Sequence, residues 1–148
     1  MSCVQNTKMN LEGLIMLTCA QAFVDHLTAR DLRFNVDDKG DKVVVTVPFS
    51  GHNANCIFSG ETGEYLSIYL FFESVPEDKY ANVLVACNEL NTTYKWVKFY
   101  IDSENDIMVQ DDGLLAPASA GDEAFELILR MYDILKDAKP ILMKAIYG

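Results

Sequence analysis

The stretch ACNELNTTYKWVKFYID, residues 86–102, contains the point where one hydrophobic period gives way to another. Up to that point, apolar side chains recur at three- and four-residue steps, the spacing of one helix face: Tyr80, Val83, Leu84 and Cys87. Beyond it, apolar residues occupy alternate positions, the period of a half-buried strand: Val97, Phe99 and Ile101. The stretch therefore predicts a helix over residues 76–93 and a strand over residues 96–102.

Two asparagines interrupt the apolar stripe near the end of this predicted helix. Asn88 follows Leu84 by four residues and Asn91 follows Cys87 by four, so both are expected to face the core. A buried amide without partners costs about 1–3 kcal/mol, so each should bond to nearby backbone groups. We predict that the two asparagines form a structural latch, which fixes where the helix ends and the next strand begins. A ligand-binding role is the alternative.

Upstream of this helix, the sequence has the period of a sheet. Strands rich in Val, Ile, Tyr and Phe are predicted over residues 33–37, 42–49, 54–59 and 65–72. The segments that join them, DDKGD, SGHN and SGETGE, carry the residues typical of tight turns. Connections this short produce antiparallel neighbours, because parallel strands need a crossover of a dozen or more residues.

The remaining segments complete the order of elements. A first helix is predicted over residues 10–30, with Asn10 as its N-cap, and Ser74 with Glu77 predicts a capping box before the second helix. After the second helix come a hairpin (96–102 and 106–111), a loop (LLAPASAGDE) and a third helix over 122–138, which Pro140 is expected to interrupt. The chain is therefore predicted to be one α+β domain, residues 1–148, with the order α-ββββ-α-ββ-α and an antiparallel sheet covered by helices mainly on one side.

Composition limits the kinds of partner. The net charge of −10 argues against nucleic acid and anionic lipid, since both attract clustered Lys and Arg, and it suits solubility or a basic polypeptide. No uninterrupted apolar stretch is long enough to span a membrane, and the first ten residues carry no export signal. We expect neither a nucleic-acid nor a membrane partner.

The chain offers little sign of metal or catalytic chemistry. Its four cysteines (Cys3, Cys19, Cys56 and Cys87) form no C-x-x-C pair, so we expect reduced thiols in a cytoplasmic protein and no metal site. The acidic stretch 102–113 lacks the Gly and Glu that an EF-hand needs at its sixth and twelfth positions. Ser50, His52 and Cys56 are close in sequence, but proximity in a turn does not orient a catalytic base. We therefore expect no enzyme and no cofactor.

The predicted sheet has a second apolar face, which suggests where a partner would bind. Alternation places Tyr65, Tyr69 and Phe71 on the face opposite Leu66 and Ile68, and places Trp96 and Tyr100 opposite Val97. Tyr and Trp are enriched at protein interfaces. We predict that these five aromatic residues bind a partner. The alternative is that the first helix or the tail 141–147 covers them within the monomer.

Three segments, VPEDKYANVLVACNELN, KFYID and the closing AKPILMKAIYG, resemble the YbjN-like family of bacterial proteins, described as sensory transduction regulators. The fold of that family is similar to the class I chaperones of type III secretion, which are small, acidic and commonly dimeric and hold extended segments of a client protein. The resemblance implies a non-enzymatic protein-binding or regulatory module that holds a polypeptide partner or pairs with itself as a homodimer. The alternative is a small-molecule sensor, or an unrecognised enzyme, with a pocket between helix 76–93 and the sheet.

Overall fold

The computed structural model describes residues 16–148, apart from the side chain of Phe49. The helices are α1 (Thr18–Ala29), α2 (Tyr80–Thr93) and α3 (Ala120–Tyr147), and single 3₁₀ turns, Glu77–Lys79 and Pro117–Ser119, precede α2 and α3. The strands are β1 (Asn35–Asp38), β2 (Lys42–Phe49), β3 (His52–Ser59), β4 (Tyr65–Ser74), β5 (Val97–Ile101) and β6 (Asp106–Leu114). The predicted α+β class and order of elements are thus confirmed.

The six strands form one antiparallel sheet in the order β1-β2-β3-β4-β6-β5. Strands β1 to β4 pair with their neighbours in sequence through short turns, and β5 pairs with β6 in the same way. The two hairpin groups are joined by β4 and β6, which are far apart in sequence and are separated by α2 and β5. This pairing makes β1 and β5 the edges of the sheet.

The helices pack on one face of the sheet. Alternate strand residues such as Val45, Cys56, Ile68 and Val109 are fully buried beneath them. Helix α1 packs against α3, whereas α2 packs against α3 and edge strand β5. Helices α1 and α3 approach closely at Gly121, where a Cβ atom would stand 2.7 Å from the main-chain oxygen of Ala22 in α1.

Helix α3 is longer than predicted, because Pro140 does not interrupt it. Proline removes one helical hydrogen bond, here the one to the carbonyl of Lys136, at a cost of about 3 kcal/mol. Both residues lie on the exposed side of α3, where water can bond that carbonyl. Leu142 and Ile146 continue the buried stripe beyond the proline, so core packing keeps the chain helical.

Two other local predictions were wrong and one lies partly outside the described residues. Ser74 is the last residue of β4, and its hydroxyl donates to Asp106 Oδ1 at 2.9 Å, so Ser74 and Glu77 form no capping box. The segment predicted as a loop after β6 is mostly ordered: it contains a 3₁₀ turn, and α3 already begins at Ala120. Helix α1 starts at Thr18, and Asn10, its predicted N-cap, precedes the described residues.

Within residues 16–148, no helix combines the length and the apolar character needed to cross a membrane.

Cys19, Cys56 and Cys87 are unpaired and buried, and Cys3 lies outside the described residues. We predict that all four thiols are free in the folded protein. Labelling with a thiol reagent after denaturation, without reductant, should therefore count four groups per chain. A count of two or zero would show that disulfides form and that the expectation of a reducing compartment was wrong.

Candidate functional site

The strand register gathers four of the five predicted aromatic residues on the sheet face opposite the helices. Tyr69 and Phe71 of β4 pair with Gln110 and Met108 of β6, and Met108 pairs in turn with Tyr100 of β5. Tyr65 lies farther along the same face of β4. Tyr65 and Phe71 are 57% and 49% exposed, and Tyr69 and Tyr100 are half-buried. We call this surface the open face: Tyr65, Tyr69, Phe71 and Tyr100.

Neither segment considered as an internal cover lies over the open face. In residues 141–147, Leu142 and Ile146 are buried in the core on the opposite side of the sheet. The apolar side of α1 is buried in the same core, through residues such as Phe23 and Leu27. Within the part of the chain that the structure describes, the open face is therefore left to solvent.

Polar side chains form a connected network beside these aromatic rings. The Tyr100 hydroxyl donates to Gln110 Oε1 at 2.8 Å, and Gln110 Nε2 donates to both carboxylate oxygens of Asp112 at 3.1 Å. Ser67 donates to Asp112 Oδ1 at 2.7 Å. Partial burial, together with Tyr69 and nearby acids, raises the pKa of Tyr100, so the phenol keeps its proton as a donor. The open face thus combines aromatic area with ordered hydrogen-bonding groups.

Trp96 is not part of this surface, so its predicted alignment with Tyr100 was wrong. It precedes β5 and has a φ of 76°, which breaks the alternation on which the prediction depended. The Arg130 guanidinium of α3 lies 5.1 Å from the centre of the indole ring. Trp96, 58% exposed, lines a cavity of about 570 Å³ with Leu114, Leu127 and the carboxylates of Asp122 and Glu126.

The two asparagines of the predicted latch differ in their contacts. Asn88 and Asn91 are both exposed, so the expectation that they face the core was wrong. Asn91 Oδ1 nonetheless accepts from the Phe99 N–H at 2.8 Å, and Asn91 Nδ2 donates to the Phe99 carbonyl at 3.0 Å. Strand β5 is an edge of the sheet, so these bonds satisfy backbone groups that would otherwise be open to pairing. Asn88 has no side-chain hydrogen bond to any described residue.

We predict that Asn91→Leu lowers the free energy of unfolding by about 1–3 kcal/mol, because it removes two hydrogen bonds that each contribute about 0.5–1.5 kcal/mol. Asn88→Leu is the matched control, and its stability should stay within about 0.5 kcal/mol of wild type. Denaturant unfolding of the three proteins measures both effects. Equal losses in the two variants would contradict the assignment of the latch to Asn91.

A carboxylic acid, Asp111, is buried in the core, and this was not predicted from the sequence. Asp111 of β6 is 1% exposed, and neither carboxylate oxygen has a hydrogen bond of normal geometry. Burial raises its pKa to about 6, although the neighbouring main-chain amide and Arg130 act in the opposite direction. The signal was present in the sequence, because Ile107, Val109 and Asp111 occupy alternate positions of one strand, and Asp111 therefore shares their buried face.

Ser50, His52 and Cys56, the candidate catalytic group, form no hydrogen bonds with one another, although Ser50 and His52 line the same small cavity. Ser50 hydrogen-bonds Tyr132, while His52 Nδ1 lies 3.3 Å from the Phe71 carbonyl and the imidazole ring stacks on Phe72. Cys56 lies in the core, where burial raises the pKa of its thiol. Across the described residues, no three or more His, Cys, Asp and Glu side chains are grouped so as to hold a metal ion.

The alternative prediction placed a pocket between helix 76–93 and the sheet, and the cavity that the structure shows beside α2 lies elsewhere. The cavity lined by α2 residues, about 540 Å³, lies between α2 and the last turns of α3, with Val85 and Glu89 on one side and Ile141 and Lys144 on the other. Helix α2 packs directly on β5. The cavity beside α2 is therefore a groove between helices.

Comparisons with known proteins identify a family for this chain and show a similar fold among solved structures. No curated protein matches the chain significantly in sequence. Among solved structures, the chain is similar to one in the heterodimeric ExoU–SpcU complex from the type III secretion system of Pseudomonas aeruginosa, with 11% identity and a TM-score of 0.48. That alignment covers 83% of this chain and 96% of the other. The sequence profile of the YbjN family, described as "Putative bacterial sensory transduction regulator", matches residues 21–137, and the chain belongs to that family.

Proposed function

We propose that this protein is a non-enzymatic binding module that holds a segment of a polypeptide partner on its open face and acts as a regulator through that partner. The observation that carries the proposal is the open face itself, which presents Tyr65, Tyr69, Phe71 and Tyr100 on the side of the sheet away from all three helices. Contiguous exposed apolar patches of several hundred Å² are uncommon on monomers and mark interaction sites.

The chemistry of the open face favours a segment of another polypeptide over a second copy of the chain. Obligate homodimer interfaces resemble a hydrophobic core cut in half, whereas transient interfaces mix aromatic residues with hydrogen-bonding groups. The network of Tyr100, Gln110, Asp112 and Ser67 is of the second kind. The net charge of −10 adds an attraction for a basic segment.

The free state of Cys19, Cys56 and Cys87 supports a reducing compartment, the cytoplasm, as the place where this binding occurs.

Site-specific crosslinking in the native host tests the occupant of the open face. A photoreactive phenylalanine analogue at position 71 replaces an exposed aromatic side chain by one of similar shape, and the same analogue at exposed Tyr80 of α2 is the control. We expect position 71 alone to give an adduct with one recurring polypeptide, whose purified form then binds the unmodified chain. An adduct of twice the 16.6 kDa chain mass would assign the face to a homodimer. If the adducts formed at position 71 were identical to those formed at position 80, the assignment of the open face as the binding surface would be wrong.

We predict that Tyr69→Lys abolishes binding of the crosslinked partner while the chain stays folded, because the substitution places a cation in the centre of the contact. No described element covers Tyr69, so the melting temperature should change little. Tyr80→Lys, the same substitution at an exposed aromatic residue outside the open face, should bind like wild type. A large loss of stability in Tyr69→Lys would instead show that the face is covered within the monomer.

A further inference from the structure

Four cations lie together on the helix side of the sheet in a chain whose net charge is −10. Arg30 and Arg33 stand at the end of α1 and in the connection to β1, and Lys136 and Lys139 stand on α3. None of the four forms an ion pair with any residue that the structure describes. The Arg30 guanidinium instead lies 4.9 Å from the centre of the Phe125 ring.

Three of these cations, Arg33, Lys136 and Lys139, line two adjoining small cavities. The first, about 220 Å³, is lined by Leu32 and Arg33, by Val47 and Pro48 at the end of β2, and by Ile128 and Leu129 of α3. The second, about 170 Å³, is lined by Lys136 and Lys139 with His52. Tyr132 lines both cavities, and its hydroxyl is 2.5 Å from Ser50 Oγ.

The first cavity has the chemistry of a site for an amphipathic anion. Except for the groups of Arg33 and Tyr132, its walls are aliphatic or aromatic side chains, which favour an apolar ligand. At about 220 Å³ it is smaller than the 300–1,000 Å³ typical of sites for larger organic ligands, so it suits a short chain. Arg33 pairs with no carboxylate among the described residues, and its guanidinium offers a planar pair of donors that matches a carboxylate.

We propose that this cavity binds a short aliphatic carboxylate, with its hydrocarbon chain between β2 and α3 and its carboxylate at Arg33. Lys136 and Lys139 add positive potential on the same side of the protein. The site lies on the helix side of the sheet, opposite the open face, so it is independent of the polypeptide binding proposed above.

A homologous series of ligands tests the proposal with the full chain. Hexanoate, heptanoate and octanoate are titrated by calorimetry, with octanol and octanamide as uncharged controls. We expect affinity to rise about fourfold per methylene, as expected for about 0.8 kcal/mol per buried group, and octanoate to bind more tightly than either control. An affinity independent of chain length, or equal binding of octanol and octanoate, would overturn the proposal. Tighter binding of a peptide ending in leucine than of octanoate would also overturn it, in favour of a polypeptide terminus.

Two variants locate the binding site on the chain. Arg33→Gln should weaken octanoate about tenfold and leave octanol unchanged, whereas Arg130→Gln, at an arginine paired with Glu126, is the matched control and should leave octanoate unchanged. Leu129→Glu should abolish octanoate binding, and because Leu129 is 42% exposed the variant is expected to fold. Octanoate binding that survives both Arg33→Gln and Leu129→Glu would place the ligand elsewhere.

Discussion

The Asp111→Asn variant is expected to be more stable than wild type by about 2–3 kcal/mol at pH 8, with the difference falling below about 1 kcal/mol near pH 4. The carboxyl is 1% exposed and lacks a well-formed hydrogen bond, and burial raises its pKa from 3.8 to about 6. A shift of about two units corresponds to about 3 kcal/mol between the two protonation states. The amide has the shape of the protonated acid and carries no charge at any of these pH values.

The direction in which stability changes with pH follows from the linkage between proton binding and folding. The folded protein holds the Asp111 proton more tightly than the unfolded chain does, so the group favours the folded state below pH 4 and that contribution is lost as the pH rises through about 6. Above that pH the folded state must contain a buried carboxylate, which Arg130 compensates only in part. The advantage of Asp111→Asn should therefore appear between pH 4 and pH 7.

Denaturant unfolding at several pH values from 4 to 8 measures the difference in free energy of unfolding between wild type and Asp111→Asn. Groups common to both proteins cancel, including Glu64, whose pKa is lowered by hydrogen bonds from Thr62. Arg130→Gln in the wild-type background is the companion variant, because loss of the guanidinium should raise the pKa of Asp111 further. A difference that stays constant from pH 4 to pH 8 would contradict an uncompensated buried carboxylate.

Replacing Gly121 with leucine is expected to lower the free energy of unfolding by about 3 kcal/mol or more. A Cβ at this position would stand 2.7 Å from the main-chain oxygen of Ala22 and 3.4 Å from the Cβ of His26, so α1 and α3 would have to separate. Overpacking of a core typically costs about 1–3 kcal/mol, and here the obstacle is backbone, which cannot rotate away. The total stability of a domain is only about 5–15 kcal/mol.

Thermal and denaturant unfolding of a three-member series isolates this effect. Gly121→Ala should lose less than Gly121→Leu, because alanine adds only the Cβ and favours the helix by about 1 kcal/mol over glycine. Ala118→Leu, at an exposed position just before α3, is the matched control and should unfold like wild type. Near-equal stability of Gly121→Leu and Ala118→Leu would show that the two helices can part at little cost.

For the candidate site, the alternation of side chains between the two faces of a strand predicted the correct face for every residue within a strand. It placed Tyr65, Tyr69 and Phe71 on one face because each residue lies two positions or a multiple of two from the next. It failed at Trp96, where a left-handed backbone conformation turns the side chain toward α3 before β5 begins. The same rule places Asp111 on the buried face of β6, beside Ile107 and Val109.

The sequence by itself determined the elements whose signals are local. The hairpins from β1 to β4 and from β5 to β6 depend on turn residues a few positions apart, and the predicted bounds of β2, residues 42–49, match the structure. Only the tertiary structure decided the pairing of β4 with β6, the continuation of α3 past Pro140 and the exposure of the open face. Each of these depends on which distant segment supplies a hydrogen-bonding edge or a buried surface, and no periodicity within a single segment contains that information. The energy that keeps α3 helical at Pro140 comes from the core beneath Leu142 and Ile146. Within residues 16–148 the open face stays uncovered, because all three helices bury their apolar sides on the other side of the sheet.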